Sequence, residues 1–229
     1  MRRIKLYKRK ECPFPTVWGW CGLLLLLITG GACAILNIHS FLSLVRPVRG
    51  EILVAEGWMP DYALEKAVEE FKNHPYRLLV TTGIPIDKGN YLFCYKTFAE
   101  VGAVTVRKIG LDSARVLAVG APFVHKDRTF ASAVALREWL KTSQFPVKAV
   151  NVYSLGAHSR RTHLLFSKVL GKKISVGIIA CDDLGYDKHR WWKSSAGVRT
   201  VLDQTIAYIY ARFFFYTRDG SGRKELNKF

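Results

Sequence analysis

The hydrophobic pattern divides the chain at about residue 46. From Cys12 to Val45 there is no Asp, Glu, Lys or Arg, and Val17 to Leu36 is almost wholly apolar. A helix on a soluble surface carries a polar face, and this one would not. A membrane-spanning helix needs roughly 20 predominantly apolar residues, so the run predicts an anchor with some length to spare for tilt. Trp18 and Trp20 stand near its start, where indole rings settle at headgroup level. Ala32-Cys33-Ala34 resembles a small-x-small cleavage site. The chain nevertheless stays apolar beyond it (Ile35, Leu36, Ile38, Phe41, Leu42, Leu44, Val45), which predicts an uncleaved anchor.

Past residue 46 the pattern changes to short apolar runs alternating with helical periodicity. Ile52 to Ala55, Leu78 to Thr82, Val104 to Val106, Val116 to Val119, Val147 to Tyr153 and Ile174 to Ile179 read as strands. Asp61 to Phe71, Tyr91 to Val101, Arg128 to Leu140, Ala157 to Leu170 and Gly197 to about Tyr216 read as helices, the first with Tyr62, Leu64, Ala67, Val68 and Phe71 on one face. Apolar strands without alternation, separated by helices, predict a mostly parallel sheet covered on both faces. The expected fold is therefore a Rossmann-like, three-layer α/β domain behind one transmembrane helix. The expected organisation is a basic tail at 1–15, an anchor with its juxtamembrane segment at 16–45, the α/β domain at 46–216 and a flexible polar tail at 217–229. The aromatic end of the last helix, Phe213 to Tyr216, reads either as packing at a chain end or as bilayer contact.

Charge sets the expected side of the membrane. Arg2, Arg3, Lys5, Lys8, Arg9 and Lys10, against Glu11 alone, precede the apolar run, whereas Arg46 and Arg49 follow it. Basic flanks are retained in the cytoplasm, so the N-terminus is expected inside and the domain outside a plasma membrane. The net charge is +17; the first fifteen residues carry six bases and one acid, +5, which leaves +12 for the rest. A basic domain outside the cell is expected to meet lipid phosphates or other anionic envelope polymers, and nucleic acid is excluded by location. Of the domain's two cysteines, Cys94 and Cys181, the sequence permits either a disulfide or two free thiols. No Cys-x-x-Cys or His–Cys cluster has metal-site spacing, and no metal or cofactor is expected.

Candidate chemistry follows from the sheet. Open parallel sheets bind ligands at the carboxyl ends of their strands. That edge is predicted to carry Glu56 and Gly57 after the first strand, Thr82 and Gly83 after the second, and Ser154 and Gly156 after the Val147 strand. The densest block is Ser154-Leu-Gly-Ala-His-Ser-Arg-Arg161, a strand end running into a helix start where backbone N–H groups are free. His158 and Arg161 are three apart and share a helix face, a pairing suited to phosphate or carboxylate, with His158 as proton donor. Ordinary helix-start polarity would yield the same residue types. Arg128 and Thr129 stand at another helix start, after Asp127 as a candidate cap. There is no Gly-x-Gly-x-x-Gly, phosphate loop or Gly-x-Ser-x-Gly elbow.

These blocks resemble the SanA/ElyC/YdcF family of bacterial envelope proteins. The resemblance rests on Ile52 to Trp58, Val80-Thr-Thr-Gly83, Asp127-Arg-Thr129, Ser154 to Arg161, and Arg190-Trp-Trp-Lys193 with Gly197, and it covers roughly Glu51 to Phe215. Where the family commonly starts a helix with Ser-Glu-Ala, this chain has Asn90 to Phe93, and the next acid is Glu100. The resemblance implies a role in cell-envelope or lipid-carrier metabolism, with a nucleotide or S-adenosylmethionine ligand as an alternative. Glu56 and His158 are then the candidate catalytic pair. Gly57, Thr82, Gly83, Arg128, Thr129, Ser154, Gly156 and Arg161 are candidate ligand contacts. The expected ligand is an anionic, phosphate-bearing envelope intermediate. A non-catalytic module of a cell-wall complex is the other reading.

Overall fold

A parallel sheet of five strands forms the centre of the chain, in a computed structural model that describes residues 15–86, 94–143 and 146–215. The strands are β1 (Ile52–Glu56), β2 (Leu78–Gly83), β3 (Val116–Gly120), β4 (Ala149–Leu155) and β5 (Ser175–Cys181), in the spatial order β3-β2-β1-β4-β5. The chain winds outward from β1 to β2 and β3, then crosses back to place β4 on the other side of β1. The fold is thus the expected doubly wound α/β arrangement.

Two helices cover each face. α2 (Asp61–Asn73) and α3 (Phe98–Lys108) pack on the face carrying Leu53, Ala55 and Leu79, around Leu64, Phe71 and Val106. α4 (Arg128–Thr142) and α5 (Ser159–Leu170) pack on the face carrying Ile52, Val54, Val80, Val150, Val152 and Ile178, around Leu136 and Phe166. Burial on both faces explains why the strands are apolar throughout rather than alternating. Asn151 is a polar exception in the middle of β4, 1% exposed. Its amide donates to the Val48 carbonyl at 2.7 Å and the Tyr76 hydroxyl at 2.8 Å, and its carbonyl accepts from Val48 N–H at 2.9 Å. It thereby ties the segment before β1 to the sheet.

The sequence expectation fails around α3. Val104 to Val106 is not a strand but lies inside this helix. Thr97 and Glu100 form a reciprocal capping box that starts the helix at Phe98, and Ala99, Gly102, Ala103 and Val106 recur at helical spacing on its buried face. Helical periodicity and the cap override the strand preference of the β-branched residues. Of the expected Tyr91–Val101 helix, residues 91–93 lie outside the described residues, as do the basic flank at 1–14 and the tail at 217–229. The last helix, α6, spans Ser195–Ile209 and continues as a π-helical turn over Tyr210–Phe214. Cys94 and Cys181 are free thiols, the first exposed and the second buried.

The N-terminal helix α1 (Val17–Leu42) has 26 residues, about 39 Å at 1.5 Å per residue, and is apolar and long enough to cross a membrane. A signal sequence meets the same description. Within it, Thr29 Oγ1 donates to the Leu25 carbonyl and Asn37 Nδ2 to the Cys33 carbonyl at 2.8 Å, so both polar side chains are satisfied by their own helix. The chain divides into two compact units after Asn37. The last turn of α1, Ile38 to Leu42, therefore belongs to the α/β unit. There Leu42 is fully buried with Ala157, Trp191 and Val201, and Ser159 Oγ donates to its carbonyl at 3.1 Å.

Candidate functional site

On the α4/α5 face the strands turn polar at their last inward position. β1 runs Ile52, Val54, Glu56; β2 runs Leu78, Val80, Thr82; β4 runs Val150, Val152, Ser154. The parallel register sets Glu56 beside Thr82, and Ala55 beside Tyr153. Three adjacent strands thus end in a carboxylate flanked by two hydroxyls, at the crevice where the strand order reverses.

Glu56 is the centre of this cluster and is 3% exposed. Ser154 Oγ donates to its Oε2, and Thr162 Oγ1, one turn into α5, stands 3.4 Å from both carboxylate oxygens. His158 Nε2 lies 3.4 Å from Oε1 and 3.5 Å from Thr129 Oγ1 on α4. On the other side of the ring, Arg161 Nη2 donates to His158 Nδ1 at 3.0 Å, while Arg161 Nε donates to Gln204 Oε1 on α6 at 3.2 Å. A guanidinium can only donate, so Arg161 offers hydrogens both to His158 Nδ1 and to the Gln204 carbonyl oxygen, while His158 Nε2 faces the Glu56 carboxylate. Gln204 Oε1 also stands 3.1 Å from Nδ1, both held by the same guanidinium. A line of polar groups thus runs from Gln204 through Arg161 and His158 to Glu56. Trp58 meets the imidazole edge to face at 5.1 Å.

Thr82 stands apart. It is 1% exposed, and its hydroxyl has no hydrogen-bond partner among the described residues. A buried hydroxyl without a partner is costly, and this one lies at the strand edge beside Glu56.

Burial alone would raise the Glu56 pKa; His158, the Ser154 hydrogen bond and Arg161 outweigh it and hold the carboxyl below its ordinary value of 4.5. A carboxyl depressed in the folded state stabilises the fold above its ordinary value and loses that contribution as pH falls through the folded value. We therefore expect thermal stability to fall with acidification below about pH 4.5, and Glu56→Gln to flatten this part of the profile. Melting temperatures of wild type and variant at matched pH values test this; parallel profiles would contradict it.

The expected site residues separate into two groups. Glu56, Thr82, Thr129, Ser154, His158 and Arg161 come together. Arg128 is exposed at the start of α4, and Arg161 feels its charge together with that of Asp127. The glycines answer to packing. A Cβ on Gly57 would stand 2.8 Å from the Phe98 carbonyl carbon and closer still to its oxygen. One on Gly83 would stand 2.6 Å from Phe98 Cβ and 2.8 Å from Ala99 N. The need for glycine at 57 and 83 thus comes from α3, on the opposite face of the sheet from Glu56, rather than from a ligand. Gly156 has φ +42° and opens the 3-10 turn Gly156–His158, a backbone role that glycine fills without strain. The free first-turn N–H groups expected at Gly156 are displaced by that turn to the start of α5.

Two members were missed by sequence reasoning. Thr162 was legible, since it lies four residues after His158 on α5. Gln204 had no local signal, being 46 residues from His158. Among the described residues no group of three His, Cys, Asp or Glu side chains converges as a metal site. Comparison with protein-family models, with characterised proteins and with solved structures finds no match to this chain.

Proposed function

We propose that this chain is a membrane-anchored envelope-biogenesis protein of the SanA/ElyC/YdcF type, whose domain binds an anionic, phosphate-bearing intermediate outside the plasma membrane. The observation that carries the reading is the meeting, at the sheet's switch point, of the buried Glu56 carboxylate and the half-buried His158 and Arg161 with the Thr82 hydroxyl, which has no partner among the described residues. His158 and the exposed Arg128 are the groups through which an anion would be met, and Thr82 and Thr129 supply hydroxyls to its oxygens. Glu56 and His158 are the acid–base pair. The net charge of +12 beyond residue 15 favours an anionic partner, and the basic flank of α1 favours a cytoplasmic N-terminus.

Loss of a hydrogen bond to a charged group costs about 1.5–3 kcal/mol, so Arg128→Ala and His158→Ala are each expected to weaken binding roughly 10- to 100-fold. Titration of the full chain in detergent micelles with polyprenyl phosphate and polyprenyl diphosphate measures this, with circular dichroism confirming that the variants fold. Equal binding by wild type and both variants would refute the proposal. A non-catalytic module of a cell-wall complex is the second reading, favoured by how fully Ser154, Thr162 and His158 occupy the Glu56 carboxylate. Turnover of either lipid phosphate by the full chain, lost in Glu56→Gln, would decide against it.

A further inference from the structure

α6 leaves a row of large apolar side chains uncovered. Leu202, Ile206, Ile209 and Phe213 are 50, 66, 44 and 74% exposed. Their spacing of four, three and four residues puts them on one stripe of the helix and the π turn that continues it. Phe214, 71% exposed, widens the stripe at its end. The opposite side is buried through Val201 and Ala211. Packing at a chain end therefore does not account for these aromatics, and a contiguous apolar row on a surface marks an interaction site.

Position and charge identify what covers it. Phe41, in the last turn of α1, packs edge to face on Tyr208 of α6 with ring centroids 5.5 Å apart, and the Arg160 guanidinium sits 3.8 Å over the Phe41 ring. Phe41 follows Leu36, the last residue of the exposed apolar stretch, by five positions in the sequence. Arg199 and Arg212 belong to the same helix and its π turn, and Asp203 is the one acid between Ser195 and Phe214. An apolar row with aromatic side chains at its end and arginines on the same helix suits an anionic lipid interface. It suits a second copy of this basic chain poorly, because like charges would meet across the contact.

We propose that this face of α6 lies in the headgroup layer of the membrane that α1 crosses, with Ile206, Ile209 and Phe213 reaching the acyl chains and Arg199 and Arg212 at anionic phosphates. The proposal rests on α1 being a membrane span. It gives the domain a second attachment and a fixed side toward the bilayer, as acting on a lipid-linked substrate would require.

Nitroxide labels test it in the full chain, with Cys12, Cys21, Cys33 and Cys94 replaced by alanine and the buried Cys181 retained. Labels go at Ile206→Cys, Phe213→Cys, Leu26→Cys in the middle of α1, and Glu69→Cys on α2. Each chain is reconstituted into vesicles of phosphatidylcholine and phosphatidylglycerol, and collisions with oxygen and with a water-soluble nickel chelate are measured. The expected result is loss of nickel collisions and gain of oxygen collisions at 206 and 213, relative to 69. Nickel access at 206 and 213 with position 26 shielded overturns the α6 proposal and leaves the α1 span intact. Nickel access at 26 overturns the span and the proposal with it. Shielding of 206 and 213 from both reagents, or spin–spin broadening relieved by unlabelled chain, assigns the face to a protein partner or a second copy and also overturns the proposal.

Discussion

Replacing Glu56 with alanine is expected to destabilise the α/β unit by about 3 kcal/mol, the low end of the range for breaking a buried ion pair. The low end applies because His158 is 3.4 Å away and its side chain is 11% exposed, so solvent screens part of the loss. The remainder comes from the groups left behind. Ser154 and Thr162, both fully buried, lose the acceptor of their hydroxyls, and His158 Nε2 and Arg161 keep their orientation with no carboxylate to face. In a unit of this size each kcal/mol shifts the melting temperature by roughly 2–4 °C, so a fall of about 6–12 °C is expected. Glu56→Gln keeps an oxygen for the two hydroxyls and should cost about 1 kcal/mol. Circular dichroism melts of the full chain in micelles separate the two variants. An alanine variant that melts with wild type would mean that the carboxylate contributes nothing net to the fold.

Gly57→Ala is expected to cost at least as much, by a mechanism that involves no charge. The added methyl would stand 2.8 Å from the Phe98 carbonyl carbon and 3.2 Å from Ala99 Cα. These are main-chain atoms, so no rotamer change relieves the clash, and α3 has to move away from the sheet. Moving it strains the packing of Ala99, Ala103 and Val106, all buried against β1 and β2. Overpacking of a tight core costs typically 1–3 kcal/mol, and a clash with backbone belongs at or above about 3 kcal/mol. Gly120→Ala is the control, since the three atoms nearest its Cβ would all belong to the Thr97 side chain, the closest at 3.4 Å. Urea midpoints of the two variants should differ clearly; equal midpoints would show that α3 yields easily. Because Gly57 adjoins Glu56, the variant is also expected to weaken polyprenyl phosphate binding.

Much of this was legible along the chain. The apolar run of α1, the strand–helix alternation and the block from Ser154 to Arg161 are local patterns, and local patterns report burial and periodicity directly. Glu56 was legible for the same reason, as a carboxylate closing an apolar strand. The error at Val104–Val106 came from reading β-branched residues without the Thr97–Glu100 cap that starts the helix ahead of them.

Other features depend on strand order and helix placement, which no short window of sequence contains. The amino-acid sequence by itself determined that an apolar helix precedes a parallel α/β domain, and that one strand–helix junction carries a histidine and an arginine on one face. Only the tertiary structure decided that β1 lies between β2 and β4, and so that Glu56 meets Ser154 and His158 and has Thr82 beside it. It also brought Gln204 from α6 to Arg161, assigned Gly57 and Gly83 to the approach of α3, and left the apolar row of α6 uncovered beside the last turn of α1. The physical reason is range: apolar periodicity is set by neighbours within a turn or a pleat, whereas a site at a switch point is set by which strands the crossovers bring side by side.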